Sequence, residues 1–281
     1  MSPEEQARAD IVEVGRRLWE RGYVASNDGN ISVRLDDRRL MTTPKNVSKG
    51  FMTADMMVIT DLDGKKIAGD RDPSSEIKMH LEVYRNRPDA RAVVHAHPPT
   101  ATGFAVAGIA LDRAVLAEVI TTLGSIPIAA YATPSTEELP AAVRKFVKAH
   151  DGMLLANHGA LALAGDVMSA YYRMETIEHF AKISLVARTL GRENLLSRDE
   201  VDRLQGLRGM YGIASPAPIC TDETATGNNN QLDCQVVQAP LSDARLVPHP
   251  LQAPPTGTDA EIRLTYRELT ALIEDAVRQL K

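Results

Sequence analysis

Apolar residues recur along the chain in two patterns, and each pattern predicts a different kind of element. Spacings of three or four residues predict amphipathic helices at 3–21, 73–87, 100–108, 136–148, 167–190 and 196–211. Short β-branched or alternating runs bounded by turn residues predict strands at 31–35, 40–44, 58–60, 66–68, 92–97, 126–131 and 153–156, with a further apolar run at 160–164. In the longest helix, the residues predicted to face the core are Tyr171, Met174, Ile177, Phe180, Ile183 and Val186.

Two histidines end one of the predicted buried strands. The aliphatic run 92–94 leads into His95 and His97, and Pro98 stops it. Because side chains two residues apart in a strand share a face, the two imidazoles project together. Such a pair suits a divalent ion such as zinc, although an isolated His-x-His is as often one core and one surface histidine. A metal site would need a third ligand from elsewhere.

His158 supplies that third imidazole. It follows the predicted strand 153–156 at a glycine turn, so two strand ends can direct three ring nitrogens at one point. Three histidines leave an open coordination position, which is typical of a catalytic metal rather than a structural one. His179 could reach the site from the long helix but is interpreted as a packing residue. The other histidines are interpreted as ordinary surface or helix residues: His80, His150 and His249.

The segment Pro73-Ser74-Ser75-Glu76 opens a predicted helix and has two interpretations. On local sequence alone, a capping arrangement with an acid that suits the helix dipole is favoured. The functional alternative is an anion-binding helix start beside a carboxylate.

Composition and charge exclude several classes of protein. The net charge is −5 and charged residues are 25%, so no basic surface points to nucleic acid or a membrane. The two cysteines, Cys220 and Cys234, lie outside the motif-bearing region and form no disulfide framework. The first residues lack the features of a signal peptide, and no apolar run approaches membrane-spanning length. We therefore expect a soluble, cytoplasmic protein.

Six short motifs occur in the order seen in the class II aldolase/adducin family, and the chain resembles its L-fuculose-1-phosphate aldolase type. They are Asn27-Asp28-Gly29-Asn30-Ile31-Ser32, Thr43-Pro44, Pro73-Ser74-Ser75-Glu76, His95-Ala96-His97, Tyr131-Ala132-Thr133 and Asn157-His158-Gly159. The resemblance covers about residues 5–213. It implies an α/β fold with three layers, α/β/α, around a largely antiparallel central sheet. It also implies a homotetramer with sites at subunit interfaces.

The resemblance further implies roles for individual residues. The implied ligands of Zn²⁺, or of Mn²⁺ or another divalent cation, are His95, His97 and His158. Glu76 is the implied catalytic acid/base, and Tyr211 resembles a tyrosine that donates a proton in a neighbouring subunit's site. The implied phosphate-binding residues are Asn30, Thr43, Ser74 and Ser75. Lys45, where the chain departs from the family pattern, is a candidate cation for the same group. The expected reaction cleaves a ketose phosphate to dihydroxyacetone phosphate and an aldehyde through a metal-stabilised enediolate.

Three departures from the family pattern leave the substrate open. Thr43-Pro44 is followed by Lys45 and Asn46 rather than by a glycine, so the anchoring group of the small-molecule substrate is a phosphate or a carboxylate. Segment 112–122 holds no tyrosine, which changes the expected aldehyde specificity. Asp28 adds a negative charge near the anion loop.

Other activities in the family are weighed against the same residues. A metal-dependent decarboxylase of a hydroxy or oxo acid is the main alternative, because it uses the same enolate chemistry. A sugar-phosphate 4-epimerase is less favoured, because those enzymes usually carry aspartate where this chain has Glu76. A non-catalytic adducin-like scaffold would be expected to lose the metal ligands, and all three histidines are present.

Two regions are expected from composition and pattern. Residues 1–213 form the catalytic domain. Residues 214–281 begin with turn- and proline-rich sequence that predicts a linker, followed by a helical stripe of apolar residues within 264–280. This C-terminal extension is expected to pack on its own or another subunit.

Overall fold

One mixed sheet organises the computed structural model, which describes residues 1–213 and 215–219. Within these residues the strands are β1 (Asn30–Arg34), β2 (Leu40–Thr42), β3 (Val58–Thr60), β4 (Lys66–Ala68), β5 (Ala92–Ala96), β6 (Ile128–Ala129), β7 (Gly152–Leu155) and β8 (Gly159–Ala164). Their order across the sheet is β4-β3-β2-β1-β5-β8-β7-β6. Every neighbouring pair is antiparallel except β6 and β7, which are parallel.

Helices cover both faces of this sheet. They are α1 (Pro3–Glu20), α2 (Ile77–Asn86), α3 (Pro99–Ala107), α4 (Ala117–Thr122), α5 (Glu138–Val147), α6 (Val167–Thr189) and α7 (Arg198–Gly206). Short 3-10 turns lie at Lys49–Phe51, Ala54–Met56 and Arg208–Tyr211. No described helix is long and apolar enough to span a membrane.

Alternation along the strands builds two cores, one on each side of the sheet. On β5, Val94 packs in a cluster with α1, α3 and α6, whereas Val93 packs in a second cluster with α2 and α5. The α/β/α layering expected for this chain is therefore confirmed. His95 has the same parity as Val93, so its ring lies on the α2 side of the sheet.

Helix α2 begins later than the pattern predicted, at Ile77 instead of residue 73. Pro73 forms an isolated bridge with Pro44, and the Ser74 amide donates to the Thr43 carbonyl at 3.1 Å. These contacts hold the two residues extended along the neighbouring loop. Ser75 and Glu76 form the turn that leads into the helix, and Glu76 takes the N-cap position without a side-chain capping bond.

Val186 was expected to face the core, but its exposure is 54%. The reason is the length of α6, which has 23 residues and therefore spans about 34 Å. The longest strand it crosses has six residues, or about 20 Å. The helix is thus longer than the strands it crosses, and its last turns bury Ser184 but leave Val186 exposed.

The C-terminal linker and helix predicted at 214–281 lie outside the described residues, except for residues 215–219. Those five residues pack closely against the domain. Ala217 is fully buried, and its amide donates to the Ala149 carbonyl at 2.8 Å. The Ser125 hydroxyl donates to the Pro218 carbonyl.

Candidate metal centre

Three imidazoles converge at one end of the central strands. His95 is near the end of β5, His97 follows that strand, and His158 lies in the turn between β7 and β8. The antiparallel register places Ala96 of β5 opposite Ala160 of β8, which brings the two chain segments together. One ring nitrogen from each histidine lies within 4.8 Å of the others.

The donor set fits a shared cation. The Ala160 carbonyl and a carboxylate oxygen of Asp28 can only accept, so the Nδ1 atoms of His95 and His97 donate to them, at 2.9 and 3.3 Å. Both Nε2 atoms are then unprotonated, and they face each other at 3.1 Å. Burial lowers the pKa of His95 to about 3, although the negative charge of Glu76 opposes this shift. No proton therefore lies between the two Nε2 atoms near neutral pH. The two lone pairs therefore repel each other, and a cation bound between them would remove that repulsion.

Glu76 lies against this group. Its Oε1 is 3.2 Å from His158 Nε2, and its Oε2 is 3.4 Å from His95 Nε2. The Asn30 side-chain amide donates to Oε2 at 2.8 Å. Burial by itself would raise the pKa of Glu76, but His95, His158 and Asn30 outweigh it and hold the pKa well below its usual range. Glu76 is therefore a carboxylate at neutral pH.

A glycine permits the close packing of the site loop. Gly29 has φ +69°, and a Cβ on it would lie 2.8 Å from the His95 carbonyl oxygen. Only a residue without a side chain fits that approach and that left-handed backbone. The next residue, Asn30, is therefore the register partner of His95 and reaches Glu76.

A cavity of about 250 Å³ opens over these groups. The predicted site residues that line it are Asn30, Lys45, Ser74, Ser75, Glu76, His97 and His158. Two of the predicted residues stand behind this lining. His95 is fully buried beneath it, and Thr43 is a buried support whose hydroxyl accepts from the Ile31 amide at 3.2 Å.

Tyr211 and His179 lie elsewhere on the chain. Tyr211 is 64% exposed in the last 3-10 turn and does not line the cavity of its own chain. Its role in a neighbouring subunit stays a prediction. His179 is exposed on α6 and lines a separate groove, together with Lys182 and Glu118. It does not join the three converging imidazoles within the chain.

Lys49 is a cavity residue that the sequence patterns missed. It is buried, and its ammonium donates to the carbonyls of Asn27 at 3.0 Å and Val47 at 2.6 Å. Burial lowers its pKa to about 8, with Asp28 acting in the opposite direction. Lys49 belongs to none of the recognised motifs, and lysines are almost never fully buried, so no local signal marked it.

Pro134 and Ser135 also line the cavity without having been predicted. They follow the Tyr131-Ala132-Thr133 motif, which is the signal that could have found them. Two histidines were interpreted too simply as surface or helix residues. His80 and His150 are both buried, and each has a hydrogen-bonded serine partner, Ser32 and Ser125 respectively.

The chain belongs to the class II aldolase family, because the family model described as Class II Aldolase and Adducin N-terminal domain matches residues 9–185. The resemblance recognised in the motifs is thereby confirmed. A solved structure described as L-fuculose-1-phosphate aldolase from Thermus thermophilus is similar, with a TM-score of 0.59 and 31% identity, covering 68% of this chain and 98% of that one.

Relatives with two kinds of name are similar to the chain. The 3-oxo-tetronate 4-phosphate decarboxylase of Pectobacterium atrosepticum is 32% identical over 190 residues, which are 66% of this chain and 87% of the relative. The 5-deoxy-D-ribulose 1-phosphate aldolase of Bacillus thuringiensis serovar kurstaki is 32% identical over 210 residues, which are 74% of this chain and 98% of the relative. Both names describe lyases that break a carbon–carbon bond.

Proposed function

We propose that the chain is a metal-dependent aldolase that cleaves a ketose phosphate to dihydroxyacetone phosphate and an aldehyde. The observation that carries the proposal is the convergence of three imidazoles and one carboxylate at the wall of a cavity. A metal site and an adjacent base together can support carbon–carbon cleavage next to a carbonyl.

The metal ligands in this proposal are His95, His97 and His158. Zinc is the first choice and manganese or another divalent cation the alternative, because imidazole suits several of these ions. When bound, the cation supplies positive charge that stabilises negative charge developing on a substrate oxygen.

Glu76 moves the proton at the reacting carbon. Its carboxylate is ionised at neutral pH and is held by Asn30, so its position does not depend on substrate. Asn30 donates to Oε2, whereas Oε1 lies 3.2 Å from His158 Nε2, and we assign the proton transfer to Oε1. In the cleavage direction, the hydroxyl on the carbon that becomes the aldehyde loses its proton, and Tyr211 of a neighbouring copy in a homotetramer would relay that proton; it would donate it back to the aldehyde oxygen in the reverse direction.

The anionic end of the substrate binds in the same cavity, beside the two serines that precede Glu76. Ser74 and Ser75 lie just before helix α2, where hydroxyls and helix-start amides favour an anion. Asn30 adds a side-chain amide, and Lys45 a cation, in place of the glycine usual in this loop. These donors suit a phosphate.

Decarboxylation of an oxo-acid phosphate is the second candidate. A specific observation favours it, because the Pectobacterium atrosepticum relative named as a decarboxylase matches as well as the named aldolases do. In this reaction, the bond that breaks joins the carboxylate carbon to the carbon beside the carbonyl. After carbon dioxide leaves, the carbon beside the carbonyl takes up a proton, and Glu76 would again transfer it.

A product assay separates the two candidates. The zinc-loaded protein is incubated with a panel of ketose 1-phosphates and 3-oxo-acid phosphates, and both dihydroxyacetone phosphate and carbon dioxide are measured. Release of dihydroxyacetone phosphate supports the aldolase. Carbon dioxide release alone assigns the decarboxylase, and the absence of both products overturns the proposal.

The Glu76→Gln variant tests the role of the base in the same assay. It keeps the shape of the side chain but cannot accept the proton, so the turnover rate should fall about 10²- to 10⁴-fold. Glu20→Gln, on the exposed end of α1, is the matched control and should retain full activity. Equal activity of the two variants would contradict the role of Glu76.

A further inference from the structure

The three converging histidines differ in what holds the ring nitrogen turned away from the cluster. His95 Nδ1 donates to the backbone carbonyl of Ala160 at 2.9 Å. His97 Nδ1 faces the Asp28 carboxylate at 3.3 Å. His158 Nδ1 is buried and has no hydrogen-bond partner among the described residues. Asp28 is therefore the one side chain of the described chain that orients any of the three rings through this nitrogen.

We propose that Asp28 is a positioning residue that holds the His97 ring for metal binding. The proposal rests on the metal site of the proposed function and adds a residue to it. A carboxylate that accepts from one ring nitrogen fixes the tautomer, orients the ring and raises the basicity of the other nitrogen. In this chain the other nitrogen is His97 Nε2, which lies 3.1 Å from His95 Nε2.

The loop that carries Asp28 is fastened on both sides. On one side, Gly29 packs directly on the carbonyl of His95. On the other, the buried Lys49 ammonium donates to the carbonyl of Asn27, and its positive charge attracts Asp28. The backbone of His97 is fixed as well, since its amide donates to the Tyr23 carbonyl at 2.8 Å. Loop and ring are thus held at a set separation before a metal arrives.

Because Asp28 is partly exposed, its replacement can change the position of the His97 ring without disturbing the fold. Its side chain is 40% exposed, whereas the His97 side chain is 25% exposed. Replacing Asp28 therefore creates no core cavity and leaves no fully buried charge. A loss of metal affinity in an Asp28 variant that folds normally then reports on the ring and not on the fold.

Zinc affinity tests the proposal without any substrate. Wild type and Asp28→Ala are stripped of metal and titrated with zinc in competition with a chromophoric chelator. We expect Asp28→Ala to bind zinc 10- to 100-fold more weakly. Asp28→Asn should lie between them, because its amide oxygen still accepts from Nδ1 but carries no charge. Asp37→Ala, in the exposed turn after β1, is the matched control and should bind as tightly as wild type.

Two further readouts distinguish positioning from a structural role. The urea midpoints of the metal-free wild type and Asp28→Ala should agree. The visible spectrum of the cobalt-loaded variant should differ from that of wild type, because the His97 ring is released. If wild type itself binds no stoichiometric zinc, that result contradicts the metal site of the proposed function and, with it, this inference. Equal zinc affinity of wild type and Asp28→Ala contradicts only the role of Asp28.

Discussion

At the scale of single residues, the centre depends on backbone conformations that most side chains avoid. Asn46 and Ser135 line the cavity with φ of +58° and +64°, and Asn157 precedes His158 with φ +54°. Left-handed backbone costs most residues with a Cβ about 1–2 kcal/mol, and asparagine less, because its short polar side chain tolerates that conformation. The site loops therefore hold unfavourable conformations that the surrounding sheet and helices stabilise.

Gly29 and Gly22 form a natural pair for measuring one close contact. Both have left-handed backbone, with φ of +69° and +68°, but a Cβ at Gly22 meets no atom within 4 Å. Gly22→Ala should therefore lower the free energy of unfolding by only about 1 kcal/mol. Gly29→Ala should cost at least about 2 kcal/mol, because its Cβ also collides with the chain at His95. Urea unfolding of the two variants measures the difference, and equal values would contradict the close approach.

At the scale of elements, a buried polar network joins α2 to β1. The Ser32 hydroxyl on β1 contacts His80 Nδ1 at 2.7 Å and the Tyr84 hydroxyl at 2.8 Å, both on α2. Tyr84 also donates to the Ser32 carbonyl at 3.0 Å. Since β1 begins at Asn30 and α2 follows Glu76, the network keeps these two site residues within reach of each other.

His80 predicts a pH dependence of stability for the metal-free protein. Burial lowers its pKa from 6.5 to about 4. The unfolded chain then binds a proton that the folded chain excludes, so the contribution is present above pH 6.5 and is lost as the pH falls toward 4. The full loss is about 3 kcal/mol.

Urea unfolding at several pH values between 7 and 4.5 checks this window. The variant His80→Asn should show a smaller fall in stability than wild type, because it removes the buried titrating group. His179→Gln, at an exposed position of α6, controls for the loss of a histidine. Parallel curves for wild type and His80→Asn would show that His80 is not the source.

At the scale of the whole molecule, a buried carboxylate fastens residues 215–219 to the domain. Asp151 bonds Arg87 at 2.8 Å and accepts from the Ser215 hydroxyl at 2.7 Å. Arg173 of α6 approaches the same carboxylate at 3.1 Å. Segments from both faces of the sheet and from the end of the described chain thus contact the same Asp151 carboxylate.

Asp151 and Asp89 allow the buried and the exposed ion pair of one arginine to be compared. Both contact Arg87, but the side-chain exposures are 2% for Asp151 and 57% for Asp89. Asp151→Asn should lower the free energy of unfolding by about 3 kcal/mol, because it leaves Arg87 with only the exposed Asp89 and removes the carboxylate that Arg173 approaches. Asp89→Asn should cost at most about 1 kcal/mol. Thermal and urea unfolding give both values, and a small effect at Asp151 would contradict its anchoring role.

Metal binding should also stabilise the whole domain. A ligand that binds only the folded state adds about 2.7 kcal/mol when present at 100 times its Kd. The melting temperature should therefore rise with added zinc and return to the metal-free value with a chelator. His158→Ala should abolish the rise, whereas His179→Ala should retain it. A melting temperature independent of zinc in wild type would contradict a metal site at the three histidines.

Local pattern by itself determined much of the fold. The strand before His95, the capped helix that begins after Ser2, and the long helix from Val167 all appear near their predicted positions. The spacing of His95 and His97 placed both rings on one face, because side-chain direction in a strand has a period of two. These features depend on neighbours a few residues away, so the sequence contains them directly.

Only the tertiary structure decided the contacts between distant segments. The approach of Asp28 to His97, 69 positions apart, follows from how β1 pairs with β5. The burial of Lys49 follows from the loop around it, whose carbonyls at Asn27 and Val47 accept from its ammonium. The late start of α2 and the exposure of Val186 depend likewise on a neighbouring loop and on the length of the sheet. Such contacts arise from long-range pairing and packing, which local periodicity does not encode.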